Sequence, residues 1–252
     1  MSSLNGLRIL NTRPKQQAAV LSQSIIQAGG ISIECPTLEI LPTSNQLECL
    51  PKWDTIQKAI FISPNAVHYC LQGLNKTNRT WPSKIQVIAM GQSTACALET
   101  YQIKVHETPN ISDSEHLLKL PSLQQVENQT ILLVKGVGGR SIIEDALVRL
   151  GANPIKLLVY QRALPTFDPQ WIHSIWLNDL VDIILITSVE SLDNLLKLFG
   201  SKGKLWLQSK TCLVLSARLA QAASHAGFKN LIISPPNRMM HTLLRIHLND
   251  TK

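Results

Sequence analysis

Small polar or basic residues follow six apolar segments that the residue pattern predicts to be β-strands. Small residues let backbone N–H groups approach a ligand, and a helix N-terminus adds partial positive charge, so such turns favour carboxylate or phosphate. Taken singly, each serine or threonine is explained as well by a helix N-cap. Arginine or lysine stands in three of the turns, and the set together predicts an anion-binding cleft beyond the strand ends. The candidate binding residues are Arg13, Ser63, Asn65, Gly91, Ser93, Thr94, Lys135, Gly138, Arg140, Ser188, Ser216 and Arg218.

A single tyrosine is a candidate for chemistry because of its position. Tyr160 follows Val159 in a β-like segment and precedes Gln161 and Arg162. We predict that this segment crosses between two lobes, which places Tyr160 near the mouth of the cleft. A packing role, with the ring partly buried, explains the residue equally well.

Several common kinds of active site are not indicated by the sequence. The seven histidines show neither an HExxH motif nor clustered spacing, so we expect no metal site. The glycine-rich segment 135–140 resembles a dinucleotide fingerprint, but Ser141 replaces its third glycine and Tyr160 stands where an acidic residue is needed. Neither a Walker phosphate loop nor a GxSxG nucleophile elbow occurs. We therefore expect no NAD and no serine nucleophile.

The elements that must position these residues alternate along the chain. We predict strands at residues 7–10, 59–62, 85–90, 131–134, 183–186, 212–215 and 231–233, each followed by a helix. Pro14 and Pro64 suit first helical positions, and Ser112 with Glu115 has the spacing of a capping box. Such alternation is typical of α/β proteins whose parallel sheets are covered on both faces.

Two β-like segments, residues 31–40 and 155–164, interrupt this alternation. Each follows a helix and a glycine. We predict that the chain crosses there between two lobes and that the two passes pair as a ladder. The closure of a loop costs little more as the loop lengthens, so an inserted lobe is feasible.

The sequence also contains an internal repeat. Residues 60–63 are similar to residues 185–188, and residues 87–91 to residues 212–216, both at an offset of 125. Residues 13–29 resemble residues 135–151 at nearly the same offset. Because half the chain is 126 residues, we predict that two related halves arose by duplication.

Composition limits the class of partner and the compartment. The chain of 252 residues is 44% hydrophobic and carries a net charge of +7, which predicts an anionic partner or a merely soluble basic surface. Basic residues are scattered and aromatic residues make up 5%, which disfavours nucleic acid. No apolar segment is long enough for a membrane span, and the N-terminus is unlike a signal peptide, so we expect a cytoplasmic protein. Five scattered cysteines, Cys35, Cys49, Cys70, Cys96 and Cys212, indicate neither a disulfide framework nor a zinc ribbon.

Motifs spread over residues 7–244 together resemble the uroporphyrinogen-III synthase family. Each motif is weak alone, but their order and spacing make the match specific. The matching motifs are Thr12-Arg13-Pro14, Pro36 with Glu39 and Pro42, residues 62–67, Ala89-Met90-Gly91, Thr94-Ala95, Lys135-Gly136, Gly138-Gly139-Arg140, residues 159–162, Thr187-Ser188 and residues 216–220. One departure lies in the last turn, where many members have glycine and a threonine hydroxyl and this chain has Ser216 and Leu219.

The resemblance implies two flavodoxin-like α/β lobes joined by a two-stranded β-ladder. Lobe 1 would combine residues 1–34 with 165–252, lobe 2 would span 41–158, and residues 35–40 and 159–164 would be the linker strands. The resemblance further implies cyclisation of hydroxymethylbilane, a linear tetrapyrrole with eight carboxylates, with loss of water and inversion of the last ring. No cofactor or metal is implied. The family tyrosine matching Tyr160 helps the substrate hydroxyl to leave.

Two alternatives of other classes remain open at this stage. A non-catalytic bilobal binding protein for an anionic metabolite would have similar lobes and a similar hinge, and would leave hydroxymethylbilane to cyclise spontaneously to the type I isomer. A nucleic-acid-associated α/β protein would give a salt-dependent gel shift. We expect a monomer that binds no nucleic acid or membrane and receives its substrate from the preceding pathway enzyme.

Overall fold

The computed structural model describes residues 3–43 and 52–250 of the chain, without the side chains of Gln16 and of residues 247–250. Cys49 and the side chain of His247 therefore lie outside the described residues. The chain divides into two compact units, one formed by Met1–Glu39 with Ala163–Lys252 and the other by Ile40–Arg162. The junctions between the units fall within the segments 35–40 and 159–164.

Strands and helices alternate over most of the described chain. The strands are β1 Arg8–Asn11, β2 Ile31–Glu34, β3 Glu39–Pro42, β4 Lys58–Phe61, β5 Gln86–Ala89, β6 Thr130–Gly136, β7 Asn153–Ala163, β8 Ile183–Ile186, β9 Thr211–Val214 and β10 Asn230–Ile233. The helices are α1 Lys15–Gln27, α2 Pro64–Lys76, α3 Gln92–Thr100, α4 Ser114–Leu117, α5 Ile142–Arg149, α6 Pro169–Leu177, α7 Val189–Ser209, α8 Ala217–His225 and α9 Met239–Asp250. Short 3-10 turns occur at Trp53–Thr55, Pro121–Leu123 and Pro236–Arg238.

Each unit contains one five-stranded sheet. The first sheet has the order β2-β1-β8-β9-β10 with parallel neighbours throughout, which is the flavodoxin-like order 2-1-3-4-5 when the strands are counted along the chain. The second has the order β5-β4-β6-β7-β3, and its first four strands are parallel in the order 2-1-3-4. The predicted α/β class with two parallel-sheet units is confirmed.

The ladders of the two sheets repeat the offsets found in the sequence. Lys58 is paired with Gln86 in the second sheet, and Ile183 with Thr211 in the first, 125 residues later. The single bridge between Ile88 and Glu107 likewise matches the pair Leu213 and Ile232. The pairing of β6 with β7 matches that of β1 with β2 at an offset of 122. The two sheets are therefore permuted copies of one frame: β1 and β2 correspond to β6 and β7, whereas β8 and β9 correspond to β4 and β5.

Successive residues of the central strands enter separate cores on the two faces of each sheet. In the first unit Leu10 and Ile184 belong to one buried cluster, while Ile9 and Ile183 belong to the other. All four residues of β8 are buried, as expected for a central parallel strand. The same alternation in β4 and β6 divides the second unit between two clusters. None of the helices described in residues 3–43 and 52–250 is long and apolar enough to cross a membrane.

Local differences from the predicted elements have physical reasons. The predicted N-cap at Ser112 is wrong by one residue. The Asp113 carboxylate accepts the His116 N–H at 2.7 Å, which makes Asp113 the N-cap of α4. Pro14 lies at the N-cap of α1 rather than at its first helical position.

The segment around the predicted first linker strand is interrupted. Residues 31–40 form β2 in the first sheet and β3 at the edge of the second, with no strand at residues 35–38, where Pro36 has no N–H for a ladder. β3 neighbours β7 within the five-stranded second sheet. The separate two-stranded linker stays a prediction.

Candidate functional site

Ser63 is positioned at the carboxyl end of β4 by its role as N-cap of α2. Its backbone is extended (φ −160°, ψ 162°), and its hydroxyl oxygen accepts the Ala66 N–H at 3.2 Å. Pro64 begins the helix, as the sequence predicts. Asn65 in the first turn is exposed. The cap leaves the hydroxyl hydrogen of Ser63 able to donate elsewhere.

Tyr160 reaches Ser63 from β7. Its phenol oxygen lies 3.1 Å from the Ser63 hydroxyl oxygen, where either group can donate. A bulge between Lys135 and Gly136 shifts the register so that Gly136 is the partner of Tyr160. This shift directs the Tyr160 ring toward the carboxyl end of β4.

Tyr160 is buried, with only 6% of its surface exposed, and belongs to a core cluster of the second unit. A Cβ at Gly136 would lie 2.6 Å from two ring atoms, so glycine is required for this close approach. On another side the ring lies against Tyr69, with centroids 5.9 Å apart. The Tyr69 hydroxyl donates to the Ile40 carbonyl at 2.7 Å, and burial raises the pKa of this phenol. The packing role proposed for Tyr160 is thus present, together with a specific contact of its hydroxyl.

The turn after β6 contains two glycines with left-handed backbones. Gly138 has φ +79° and Gly139 φ +83°, a conformation that disfavours other residues. Arg140 is exposed and Lys135 half-buried. The end of β6 and the turn after it therefore present backbone and two cations at the edge of the sheet where Ser63 lies.

The turn after β5 approaches the segment before α4 closely. Gly91 is the buried N-cap of α3, and a Cβ there would collide with the Ser112 hydroxyl. Thr94 is 2% exposed, whereas Ser93 is exposed in the first turn of the helix. Of the hydroxyls predicted here, that of Ser93 is the accessible one.

The four candidates of the first unit occupy equivalent turns. Ser188 and Ser216 are exposed N-caps that accept the N–H groups of the residues three positions later, and Arg218 is exposed. Arg13 follows β1, and its buried Nε has no hydrogen-bond partner among the described residues. A buried guanidinium nitrogen without a partner is unusual.

Contacts join only some of the candidates. In the second unit Ser63 and Tyr160 meet, while the residues at 91–94 and 135–140 lie at the carboxyl ends of the neighbouring strands β5 and β6. Sequence reasoning missed Tyr69, which carries no recognisable signal, and the positioning role of Gly136.

The first unit contains a second group of polar residues that sequence reasoning missed. Thr12, Thr37 and Ser191 are buried and joined through their hydroxyls, with 2.6 Å between the oxygens of Thr37 and Ser191. Asn194 donates to the Thr37 carbonyl at 2.9 Å. This network holds the segment after β2 in place. The sequence indicated it only through the position of Thr12 at the end of a predicted strand.

Within residues 3–43 and 52–250 no group of three or more His, Cys, Asp or Glu side chains is placed to hold a metal ion.

Comparisons with known proteins agree on one family. A family model described as uroporphyrinogen-III synthase HemD matches residues 19–243. Uroporphyrinogen-III synthase of Proteus mirabilis is 33% identical over 197 residues, covering 75% of this chain and 98% of the relative. The Escherichia coli enzyme of the same name is 29% identical over 236 residues, covering 90% and 95%.

A solved structure shares the fold. A mutant uroporphyrinogen III synthase from the extremely thermophilic bacterium Thermus thermophilus aligns with a TM-score of 0.62 at 16% identity, over 97% of this chain and 100% of that one. The bilobal binding protein and the nucleic-acid-associated protein considered above gain no support from these matches. Since the family model covers most of its length, this chain belongs to the uroporphyrinogen-III synthase family.

Proposed function

We propose that this chain converts hydroxymethylbilane to uroporphyrinogen III. The family acts on a tetrapyrrole, and family membership supports the reaction class. The terminal carbon–oxygen bond breaks, the hydroxyl leaves as water, and an electrophilic azafulvene remains. The last ring then attacks through its substituted carbon to give a spiro intermediate, which fragments and recombines with that ring inverted. The substrate pyrroles supply the electrons, so we propose that no cofactor takes part.

Tyr160 is the proposed proton donor. The observation that carries this assignment is the 3.1 Å contact between its phenol oxygen and the Ser63 hydroxyl. A phenol buried to this extent and held at two sides keeps its hydroxyl in one position, which is what orientation of a leaving group needs. Tyr160 donates to the departing hydroxyl and Ser63 holds the phenol in place.

The substrate carboxylates are proposed to bind at the turns that follow the strands. Exposed cations at Arg140 and Arg218 and the unpartnered nitrogen of Arg13 favour anions. Helix N-termini after Ser63 and Ser188 add partial positive charge. The excess of basic over acidic residues fits a substrate with eight carboxylates.

We further propose a cytoplasmic location. Cys35, Cys70, Cys96 and Cys212 are free, as is usual in a reducing compartment. Burial raises the pKa of the Cys35 and Cys70 thiols to about 12, so these two stay as unreactive thiols at neutral pH.

The test is Tyr160→Phe, assayed for loss of hydroxymethylbilane and for the ratio of type III to type I product. General-acid assistance typically contributes about 10²–10⁴-fold. We expect a smaller loss of turnover here, because the hydroxyl of this substrate leaves readily even in water. The isomer ratio should stay unchanged, because the folding of the substrate chain decides which carbon attacks.

Tyr101→Phe is the matched control. Tyr101 also uses its hydroxyl in a hydrogen bond, 3.0 Å from His68 Nδ1, and it follows α3 rather than a strand end assigned to the substrate. It should keep full turnover. Unchanged turnover in Tyr160→Phe reduces Tyr160 to a packing residue, and a slow variant yielding mostly type I makes it a positioning residue. Wild-type protein that yields only type I refutes the proposed function itself.

A further inference from the structure

A cavity of about 450 Å³ lies at the amino end of the second sheet. Its lining includes Leu74 of α2, Ile85 before β5, and Ile103 after α3. Its volume falls within the roughly 300–1,000 Å³ of small-molecule sites. The turns assigned above to the substrate lie at the carboxyl ends of the same strands, so the cavity belongs to the other edge of the sheet.

The lining combines aromatic surface with positive charge. Trp81 and Tyr101 supply rings, while Lys104 and Arg79 supply basic groups. None of the lining residues in the described chain is Asp or Glu. A flat apolar ligand with a negative charge is the class that such a lining complements.

Trp81 is fixed in place but its polar atom is unused. Its ring packs against Phe61 and edge-on against Trp53, with centroids 5.2 and 5.5 Å away. Its Nε1 is buried without a hydrogen-bond partner in the described structure. Buried indole N–H groups normally find an acceptor, so an unpaired one is unusual.

The internal repeat allows the segment that lines the cavity to be compared with the corresponding segment of the first unit. The segments between β4 and β5 and between β8 and β9 have equal length, because both strand pairs keep the offset of 125. In the first unit the helix is broken at Gly200 (φ 61°, ψ −171°), and helical structure then resumes to Ser209, with Leu207 fully buried. Gln208 donates to the Ala226 carbonyl at 2.6 Å. In the second unit α2 ends at Lys76, and the corresponding residues are the smaller Pro82 and Ser83.

We propose that this cavity is a binding site for a planar aromatic anion, with Trp81 and Tyr101 contacting the ring system and Lys104 the negative charge. In the first unit the larger Leu207 and Gln208 stand at the positions of Pro82 and Ser83. The site is independent of the proposed reaction, because none of these residues belongs to the turns assigned to the substrate.

The probe is 2-naphthoate, with the uncharged 2-naphthamide as its partner. A ligand of this size in such a cavity should bind with a Kd on the order of 0.1–1 mM. Titration is followed by the indole N–H signals in ¹H–¹⁵N spectra, and Trp81→Phe identifies the Trp81 signal. We expect the Trp81 signal to shift as 2-naphthoate is added and to reach a plateau. We also expect 2-naphthoate to bind more tightly than 2-naphthamide.

Two variants separate charge from space. Lys104→Gln should weaken the binding of 2-naphthoate by about two- to fivefold and leave the binding of 2-naphthamide unchanged. Ser83→Gln introduces into the second unit the side chain that the first unit has at the corresponding position, Gln208. It should weaken the binding of both 2-naphthoate and 2-naphthamide. Lys119→Gln removes an exposed lysine of the same unit that does not line the cavity and should change nothing.

Three results would overturn the proposal. They are a Trp81 signal that does not move while other indole signals do, equal effects of Lys104→Gln and Lys119→Gln, and wild-type affinity in Ser83→Gln. Thermal unfolding of each variant shows that the protein is folded. Because the readout is binding, its failure leaves the cyclisation assay untouched.

Discussion

Gly136→Ala tests whether the position of the Tyr160 hydroxyl, and not only its presence, determines turnover. A Cβ at residue 136 would lie 2.6 Å from Cε2 and Cζ of Tyr160. Carbon atoms in contact lie about 3.5–4.0 Å apart, so the ring must withdraw by about 1 Å. The backbone of Gly136 is not left-handed, so alanine itself is tolerated there. The substitution therefore acts through the tyrosine ring.

The consequences follow from the local geometry. The 3.1 Å contact between the Tyr160 and Ser63 oxygens would open to about 4 Å, beyond hydrogen-bond distance. Overpacking of this kind costs about 1–3 kcal/mol of unfolding free energy. A displacement of about 1 Å can lower turnover by up to 10²-fold. We expect a loss of turnover no larger than that of Tyr160→Phe.

The assay compares kcat for the single and double variants. If Gly136→Ala acts through the Tyr160 hydroxyl, adding Tyr160→Phe should lower kcat little further, because the two changes remove one interaction. Gly30→Ala is the control, since a Cβ there would lie 2.8 Å from Leu4 in the first unit and overpack that core instead. Full additivity of the double variant, or an equal loss of kcat in Gly30→Ala, would refute the reasoning.

Two further predictions concern a helix cap and an ion pair. Ser63→Ala and Asp168→Ala each remove an N-cap acceptor and should each cost about 1 kcal/mol of unfolding free energy in urea. Only Ser63→Ala should also lower turnover. Equal turnover in the two variants would show that the Ser63 hydroxyl does not assist Tyr160 in the reaction. For Asp182, burial opposes ionisation, but hydrogen bonds and charge from Arg8 outweigh it and lower its pKa. Because the pKa of Asp182 is lower in the folded than in the unfolded protein, ionised Asp182 stabilises the fold at pH values above its unfolded pKa. This stabilisation is lost as the pH falls through the folded pKa. Asp182→Asn should therefore cost about 0.5–1 kcal/mol at pH 7, allowing for solvent screening, and progressively less below about pH 4. A deficit that does not change with pH would contradict this.

The strands were predictable because of their burial. Residues 183–186 are apolar throughout, and all four are buried in β8. A central parallel strand has no solvent face, so its sequence is a continuous apolar run. The Ser63-Pro64 helix start was predictable for a local reason also, since a cap and a first-turn proline depend on neighbours along the chain.

Contacts between distant residues could not be predicted in the same way. Neighbouring Ser112 and Asp113 can both cap a helix, and only the structure shows that the Asp113 carboxylate accepts the His116 N–H. The approach of Tyr160 to Gly136 depends on one extra residue in β7, Val159, which shifts the register by one residue and has no signature in composition. The sequence therefore identified Tyr160 as a candidate but not its partners.

The duplicated frame carries the proposed chemistry in only one of its copies. Ser63 and Ser188 begin equivalent helices with the same cap, 125 residues apart. In the second unit the Ser63 hydroxyl meets the phenol of Tyr160, whereas the first unit contains no tyrosine, since the three in the sequence are Tyr69, Tyr101 and Tyr160. Duplication of a parallel sheet repeats its strand-end turns automatically, because the turns come with the strands. A proton donor depends on one side chain, so it can differ between copies without disturbing the frame. This explains why the proposed carboxylate-binding turns occur in pairs while the proposed proton donor occurs once.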